Sequence, residues 1–216
     1  MTYFGSLFII SAASGAGKTS LVNSIVKKIN NIELSISYTT RDKRPDEQNG
    51  VDYFFVNKET FLTMKHHGEF LESAQVFDNY YATSKSMVQQ ILASGKDIIL
   101  EIDWQGAKQI KKEVINWSAN TKGQSIHSLS IFILPPSLKI LSDRLVARGQ
   151  DKIEIIHKRL NAAQKETRHY VDYDYLVIND DFDHAIEDLA AIINAHRLTI
   201  NRQKVVYSAL INSLLV

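Results

Sequence analysis

The sequence predicts an α/β protein: a parallel core sheet flanked by helices, an inserted mixed α/β lobe, and a charged helical stretch before the last strand. Three observations predict it. Short apolar runs at Leu7–Ile10, Asp97–Asp103, Ser130–Leu134 and Tyr175–Ile178 are separated by helical patterns, the alternation expected of a parallel sheet buried on both faces. Between residues 33 and 93 that rhythm gives way to polar-alternating and aromatic pieces, which suit a small separate sheet. Two charged helical stretches then follow Pro135-Pro136 before the last apolar run.

Taken in order, Leu7-Phe8-Ile9-Ile10 is uniformly apolar and reads as a buried strand. From Ser20 to Ile29, Leu21, Ile25 and Ile29 recur at helical spacing. Glu33 to Tyr38 alternates in polarity, and Tyr53-Phe54-Phe55-Val56 forms a second strand after a polar loop. Phe61 to His67 and Met87 to Ala93 read as helices. Asp97–Asp103 is an apolar strand with acids at its carboxyl end, and Ser130–Leu134 is stopped by the prolines. Leu138 to Gly149 and Ile153 to Tyr170 are charged helices, Tyr175–Ile178 is expected as a final buried strand, and Asp183 to Leu214 is mostly helix. The expected organisation is one domain over 1–216, with core 1–32, 94–136 and 171–216, lobe 33–93 and a charged helical segment 137–170. Residues 116–125 read as a surface loop, with Trp117 an anchor or a subunit contact.

Composition narrows the functional classes. The 216 residues include 25 basic and 24 acidic side chains, a net charge of +1, so no global field points to nucleic acid or to a membrane surface. There is no cysteine, which excludes a disulfide framework, a thiolate metal site and a catalytic thiol. No apolar run approaches the roughly 20 residues that span a bilayer, and no cleavable leader pattern follows Met1, so a cytoplasmic location is expected. The seven histidines show no metal-ligand pairing, and the adjacent His66-His67 point to different sides. Self-association has apolar surface available to it in the C-terminal helix and Trp117.

The first chemical signal is the stretch Ala12-Ala13-Ser14-Gly15-Ala16-Gly17-Lys18-Thr19-Ser20 between the first strand and the first helix. Small residues let successive N–H groups turn toward one anion, the helix aims its positive end there, and Lys18 adds a full charge. Thr19 stands where a hydroxyl ligates Mg²⁺. The usual pattern opens with glycine, and Ala12 replaces it here. A second anion site is suggested by Ser37-Tyr38-Thr39-Thr40-Arg41-Asp42-Lys43-Arg44-Pro45, with Tyr53, Tyr80 and Tyr81 in the same lobe. Arginine's planar fork suits bidentate contact with phosphate.

With Gly50-Val51-Asp52-Tyr53-Phe54-Phe55-Val56, Phe70-Leu71-Glu72, Asn79-Tyr80-Tyr81-Ala82-Thr83, Asp103-Trp104-Gln105-Gly106, Arg144-Leu145-Val146-Ala147-Arg148-Gly149 and Asn179-Asp180-Asp181, these blocks resemble the guanylate kinases, in order, over nearly the whole chain. The resemblance implies the phosphate-loop nucleoside monophosphate kinase fold, with 33–93 the GMP-binding lobe and 137–170 the helical lid, and transfer of the ATP γ-phosphoryl group to GMP, and to dGMP. It implies that Ser14, Gly15, Ala16, Gly17, Lys18, Thr19, Ser20, Arg148 and Asn179 hold ATP and that Thr19 serves Mg²⁺. Arg41, Arg44, Tyr53 and Tyr81 would hold the GMP phosphate, and Ser37, Glu72, Thr83 and Asp103 the guanosine. Lys18, Arg41, Arg144, Arg148 and Arg159 would neutralise charge on the moving phosphoryl group. The resemblance leaves open whether Asp103 or Glu101 orders water around Mg²⁺. Ala13 and Ala82 stand where the family commonly has proline and glycine, and Ala82 is expected to cost backbone freedom beside Tyr81.

Two rivals make different expectations. A kinase-like domain that has become a binding module should have lost loop or arginine residues, yet Lys18, Thr19, Arg41, Arg44, Glu72, Asp103 and Arg148 are present. A phosphate-loop kinase for another acceptor should lack the pairing of Ser37 with Glu72, which matches guanine's O6 acceptor and adjacent N1–H and N2 donors.

Overall fold

Successive residues of a strand face opposite sides of its sheet, and the first strand, β1 (Leu7–Ala12), is apolar on both. Phe8 and Ile10 enter one buried cluster with Leu21, Ile25, Leu189 and Ile193, whereas Leu7 and Ile9 enter another with Val88, Leu92, Ile110 and Val114. β1 is therefore a central strand covered on both faces. This computed structural model describes residues 4–76, 78–120, 127–147 and 153–215.

In chain order β1 is followed by α1 (Lys18–Lys28), β2 (Ile32–Leu34), β3 (Tyr38–Thr39), β4 (Phe54–Phe55), α2 (Lys58–His66), β5 (Phe70–Val76), β6 (Asn79–Ser84) and α3 (Lys85–Ala93). Then come β7 (Asp97–Glu101), α4 (Trp104–Asn120), β8 (Ser128–Leu134), α5 (Leu138–Ala147), α6 (Ile153–Thr167), a 3-10 turn (Arg168–Asp172), β9 (Tyr175–Ile178), α7 (Phe182–Arg197), α8 (Ile200–Val206) and α9 (Ser208–Leu214). The core sheet has the order β2-β7-β1-β8-β9 and is parallel throughout. α1 and α7 cover one face; α3 and α4 cover the other. None of the described helices is long and apolar enough to cross a membrane.

The second sheet has the order β4-β3-β6-β5, with β6 antiparallel to both neighbours. Its far side is closed by aromatic contacts: Phe61 lies 4.8 Å from Phe70 and 5.5 Å from Tyr80, ring centre to ring centre. Residues 33 to 38, expected as one alternating strand of this lobe, are divided. β2 pairs with β7 in the core sheet, and only Tyr38–Thr39 joins the lobe. The expected boundary between 32 and 33 falls inside β2, and α3, expected in the lobe, puts Val88 and Leu92 into the core. The hairpin β5–β6 carried no strand pattern of its own because Glu72, Ser73 and Gln75 interrupt the apolar residues.

Beyond β7, α4 continues through residue 120, so 116–120 are helical rather than loop, while 121–126 lie outside the described residues. Trp117 packs, partly buried, on the core cluster beneath β7. The C-terminal helix is three helices, broken at Leu198–Thr199 and at Tyr207. Their junction is fastened to the amino end of β7 through Asp97, which is fully buried. Its carboxylate accepts the Ser6 N–H at 2.7 Å, Arg197 Nε at 2.8 Å and Arg202 at 3.1 Å. Removing one member of a buried, hydrogen-bonded ion cluster leaves charge uncompensated. Asp97→Ala is expected to lower folding stability by about 3–5 kcal/mol, read from urea unfolding; an unchanged midpoint would show that the cluster is not structural.

Candidate functional site

The carboxyl ends of β1 and β7 lie side by side, and their loops converge in the place where open parallel sheets bind ligands. The phosphate loop leaves β1 there. Gly15 and Gly17 take φ of +91° and +94°, values strained for any residue with a Cβ. The reason at Gly17 is also spatial: a Cβ would stand 2.5 Å from Asn179 Nδ2. Gly17 caps α1, and Lys18 opens the helix with its Nζ donating to the Ile102 carbonyl at 3.0 Å. Thr19 Oγ1 donates to Glu101 Oε1 at 2.5 Å. Thr19 and Glu101 thus present a hydroxyl and a carboxylate together at the mouth of the loop.

Asn179 follows β9 and is buried, with its Nδ2 on the Ala16 carbonyl at 2.7 Å. Arg144, on α5, donates to the carbonyls of Asn179 at 3.0 Å and Ala16 at 3.4 Å. These two residues brace the loop from behind. Gly15, Gly17, Ser20, Arg144, Asn179 and Phe182 line an open depression of about 380 Å³, within the size range of small-molecule sites. Arg148 lies outside the described residues.

The residues expected to form the second anion site gather at β3, β4 and β6. Arg41 follows β3, its guanidinium 5.4 Å from the ring centre of Tyr53 and 5.8 Å from that of Phe55. Tyr53 in turn meets Tyr81 edge to face at 6.0 Å. Burial first, and then the charge of Glu101, push the Tyr53 hydroxyl up to about 12, so it acts as a neutral donor near pH 7. Glu47, which no motif singled out, organises the arginines. Its carboxylate pairs with Arg41 at 2.6 Å and accepts the Arg44 N–H at 2.9 Å. A carboxylate six residues beyond an arginine in a polar loop gives no sequence signal of that contact.

Beside this cluster, Glu72 on β5 is 5% exposed. Its Oε1 accepts the Thr83 hydroxyl of β6 at 2.7 Å, across the register pair Glu72–Thr83. Gly106 packs against its other oxygen, where a Cβ would come to 2.6 Å; the glycine of the Asp103–Gly106 block is therefore required by closeness to this carboxylate. Burial, only partly offset by the Thr83 hydroxyl, raises Glu72 to about 7, and Asp103 adds to the rise. Asp103 itself caps α4, accepting the Gly106 N–H at 2.8 Å. Ser37 stands one residue before β3, its carbonyl accepting the Phe54 N–H at 2.9 Å. Ala82 is fully buried within β6, and among the described residues Asn31 is the one non-glycine with positive φ. The expected cost of Ala82 is absent, because an extended strand needs no glycine there.

One further acid reaches the phosphate loop. Glu166, near the end of α6, accepts the Ser14 N–H on Oε2 at 2.9 Å. Burial raises its carboxyl above the usual range, against the pull of the Ser14 N–H, Lys18 and Arg159. The 3-10 turn after α6 places His169 flat on Trp104, rings 3.7 Å apart and 6° from parallel.

The family model for guanylate kinase matches residues 5–196. The guanylate kinase of Hahella chejuensis is 50% identical over 211 residues, covering 98% of this chain and 96% of that protein. That of Escherichia coli is 48% identical over 213 residues, with 98% of each covered. The crystal structure of guanylate kinase from Anaplasma phagocytophilum superposes with a TM-score of 0.72 at 30% identity, covering 92% of this chain and 89% of that one. A match that runs through core, lobe and lid at half-identity leaves one assignment: the chain belongs to the guanylate kinase family.

Proposed function

We propose that this chain transfers the γ-phosphoryl group of ATP to GMP, giving ADP and GDP, with dGMP as a second acceptor. The observation that carries the reading is Glu72: a buried carboxylate beside the arginine–tyrosine cluster, with Thr83 on one oxygen and Gly106 against the other. Guanine's N1–H and N2 amino group are adjacent donors that one carboxylate accepts together. Adenine has no N1–H and would leave Glu72 unpaired in a buried site, where unpaired polar groups are costly.

The division of labour follows. Arg41, Arg44, Tyr53 and Tyr81 hold the acceptor phosphate; Ser37, Glu72, Thr83 and Asp103 surround the guanosine. Lys18 and the amides from Ser14 to Ser20 hold the donor phosphates, while Asn179 and Arg144 fix the loop that presents those amides. A phosphate monoester is already largely dianionic near pH 7, with a second pKa of about 6, so no general base is needed to activate the acceptor. The work is positioning and charge neutralisation, supplied by Lys18, Arg41 and, from the lid, Arg144, Arg148 and Arg159. The hydroxyl of Thr19 and the carboxylate of Glu101, 2.5 Å apart, fit Mg²⁺, which takes one or two protein oxygens and keeps water and phosphate for the rest. When bound, the ion would supply positive charge to the donor phosphates. Asp103 spends one oxygen on the start of α4, which favours Glu101 over Asp103 for that task.

A coupled ADP-release assay with GMP, dGMP, AMP, CMP and UMP tests the reading. GMP is expected to accelerate ADP release by orders of magnitude over AMP; no acceleration by GMP sinks the proposed activity, and equal rates with AMP sink the role of Glu72.

A further inference from the structure

The lid grips the phosphate loop from outside at four consecutive residues. Ala13 is buried in an apolar cluster with Leu141, Leu145, Ile156 and Ala163. The Ser14 N–H goes to Glu166. Gly15 lies so close to Leu141 and Leu145 that a Cβ would come within 2.9 Å of each. The Ala16 carbonyl receives Arg144. Of these contacts, Glu166 is the polar one made by α6. Ala163 and Glu166 are three residues apart and so share a helix face, which lets one face of α6 touch the loop with a methyl and a carboxylate together.

A carboxylate is an unexpected group here. Next to an anion site it opposes the binding of a triphosphate, and it is buried at a cost. Lys18 and Arg159 offset that charge, and the Ser14 N–H gives it a charge-assisted hydrogen bond. What the contact provides is a fixed direction for the backbone between Ala13 and Gly15, the half of the loop that α1 does not organise. The chain just beyond Glu166 is fixed too, by the stack of His169 on Trp104 next to Asp103.

We propose that Glu166 is a positioning residue for the ATP half of the reaction: by accepting the Ser14 N–H it ties the first half of the phosphate loop to the lid helix α6, so that loop shape and lid placement change together. The proposal rests on the ATP-dependent transfer inferred above, and it makes a claim specific to one substrate. The loop holds the donor, so loss of the tether acts on ATP and leaves the GMP lobe alone.

The test compares Glu166→Ala and Glu166→Gln in the full chain, measuring steady-state parameters for both substrates, ATP affinity by titration calorimetry, and thermal midpoints. Glu166→Ala is expected to lower kcat/KM for ATP by roughly ten- to hundred-fold, the range for displaced positioning groups, with KM for GMP within about two-fold of wild type. Glu166→Gln, whose side-chain oxygen accepts the same N–H, is expected to recover most of that loss. A wild-type-like alanine variant, an equal loss in the glutamine variant, or parallel losses for ATP and GMP would overturn the proposal. Should the alanine variant fail to fold, Glu166→Asp, one methylene too short, is expected to weaken ATP more than Glu166→Gln does, and the reverse order is contrary to it. ATP affinity by calorimetry reads the tether even if the wild-type chain were to show no GMP-dependent turnover, so failure of the activity and failure of the tether are separate results.

Discussion

Lys18→Ala is expected to lower kcat by roughly 10²–10³-fold or more, the loss seen when a single preorganised group is removed from a site of developing charge. The geometry explains why the effect falls on turnover. Lys18 starts α1 with its Nζ held 3.0 Å from the Ile102 carbonyl, between the phosphate loop and the acids that end β7. It therefore reaches the transferring group from a fixed place, with no reorganisation at the moment of reaction. Its charge also offsets Glu72 and Glu166, both of which it pulls down. Fold stability should change little, since its Nζ hydrogen-bonds one carbonyl at a partly exposed position. The coupled assay measures kcat, and a thermal melt checks the fold. An alanine variant with full activity would contradict the mechanism.

How far the site was legible depended on whether its residues lie in local patterns. The phosphate loop was legible because its requirements are local: two glycines with positive φ, a helix start, and a lysine at that start. Strands β1, β7 and β8 were legible because their central residues are buried on both faces and so are mainly apolar. β9, expected to be buried, was legible from its apolar run although Tyr175, Leu176 and Ile178 are exposed at the sheet edge, and β2, with Glu33 at its centre, was not assigned to the core. Strands β5 and β6 were not legible, because Glu72, Ser73 and Thr83 serve the site or the pairing rather than the core. Long-range partners were out of reach for a different reason. Ser14 and Glu166 are 152 positions apart, and Ala16 and Asn179 are 163 apart. No periodicity records such contacts; only the sheet order brings them together. Glu47 illustrates the remaining case, a loop acid whose sequence context is that of any solvated turn although it pairs with Arg41. Gly106 is the converse. Its need for a missing side chain comes chiefly from Glu72 on another element.

The second large effect concerns Glu72 and joins substrate choice to pH. Glu72→Gln keeps the shape but replaces an acceptor with an amide that cannot accept both guanine donors, so kcat/KM for GMP is expected to fall by about 10³–10⁴-fold, approaching the discrimination available to sites built around a substrate's hydrogen bonds. AMP, which never used that carboxylate as a double acceptor, should lose far less, and the preference between the two should collapse. The same residue makes a second, opposite claim about stability. Its folded carboxyl is raised to about 7, mainly by burial, from an ordinary value near 4.5. Between those values the folded chain holds a proton that the unfolded chain has released. The contribution of Glu72 to stability is therefore fully present below pH 4.5 and falls as pH rises through 7. Above that pH the wild type carries a buried charge that the glutamine variant lacks, so Glu72→Gln is expected to be more stable than wild type at pH 8 by about 1–3 kcal/mol, and equal to it near pH 4.5. Guanine's donors favour the ionised form, so GMP binding below pH 7 must release a proton, and KM for GMP should fall as pH rises from 6 to 8 in the wild type but not, through this group, in the variant. Denaturant melts at the two pH values, with KM across that range, check both claims. A glutamine variant that is inactive and also destabilised at pH 8 would mean that Glu72 is ionised and well compensated before substrate arrives. An inactive variant that melts later than wild type would mean that the guanine site is kept at the expense of the fold.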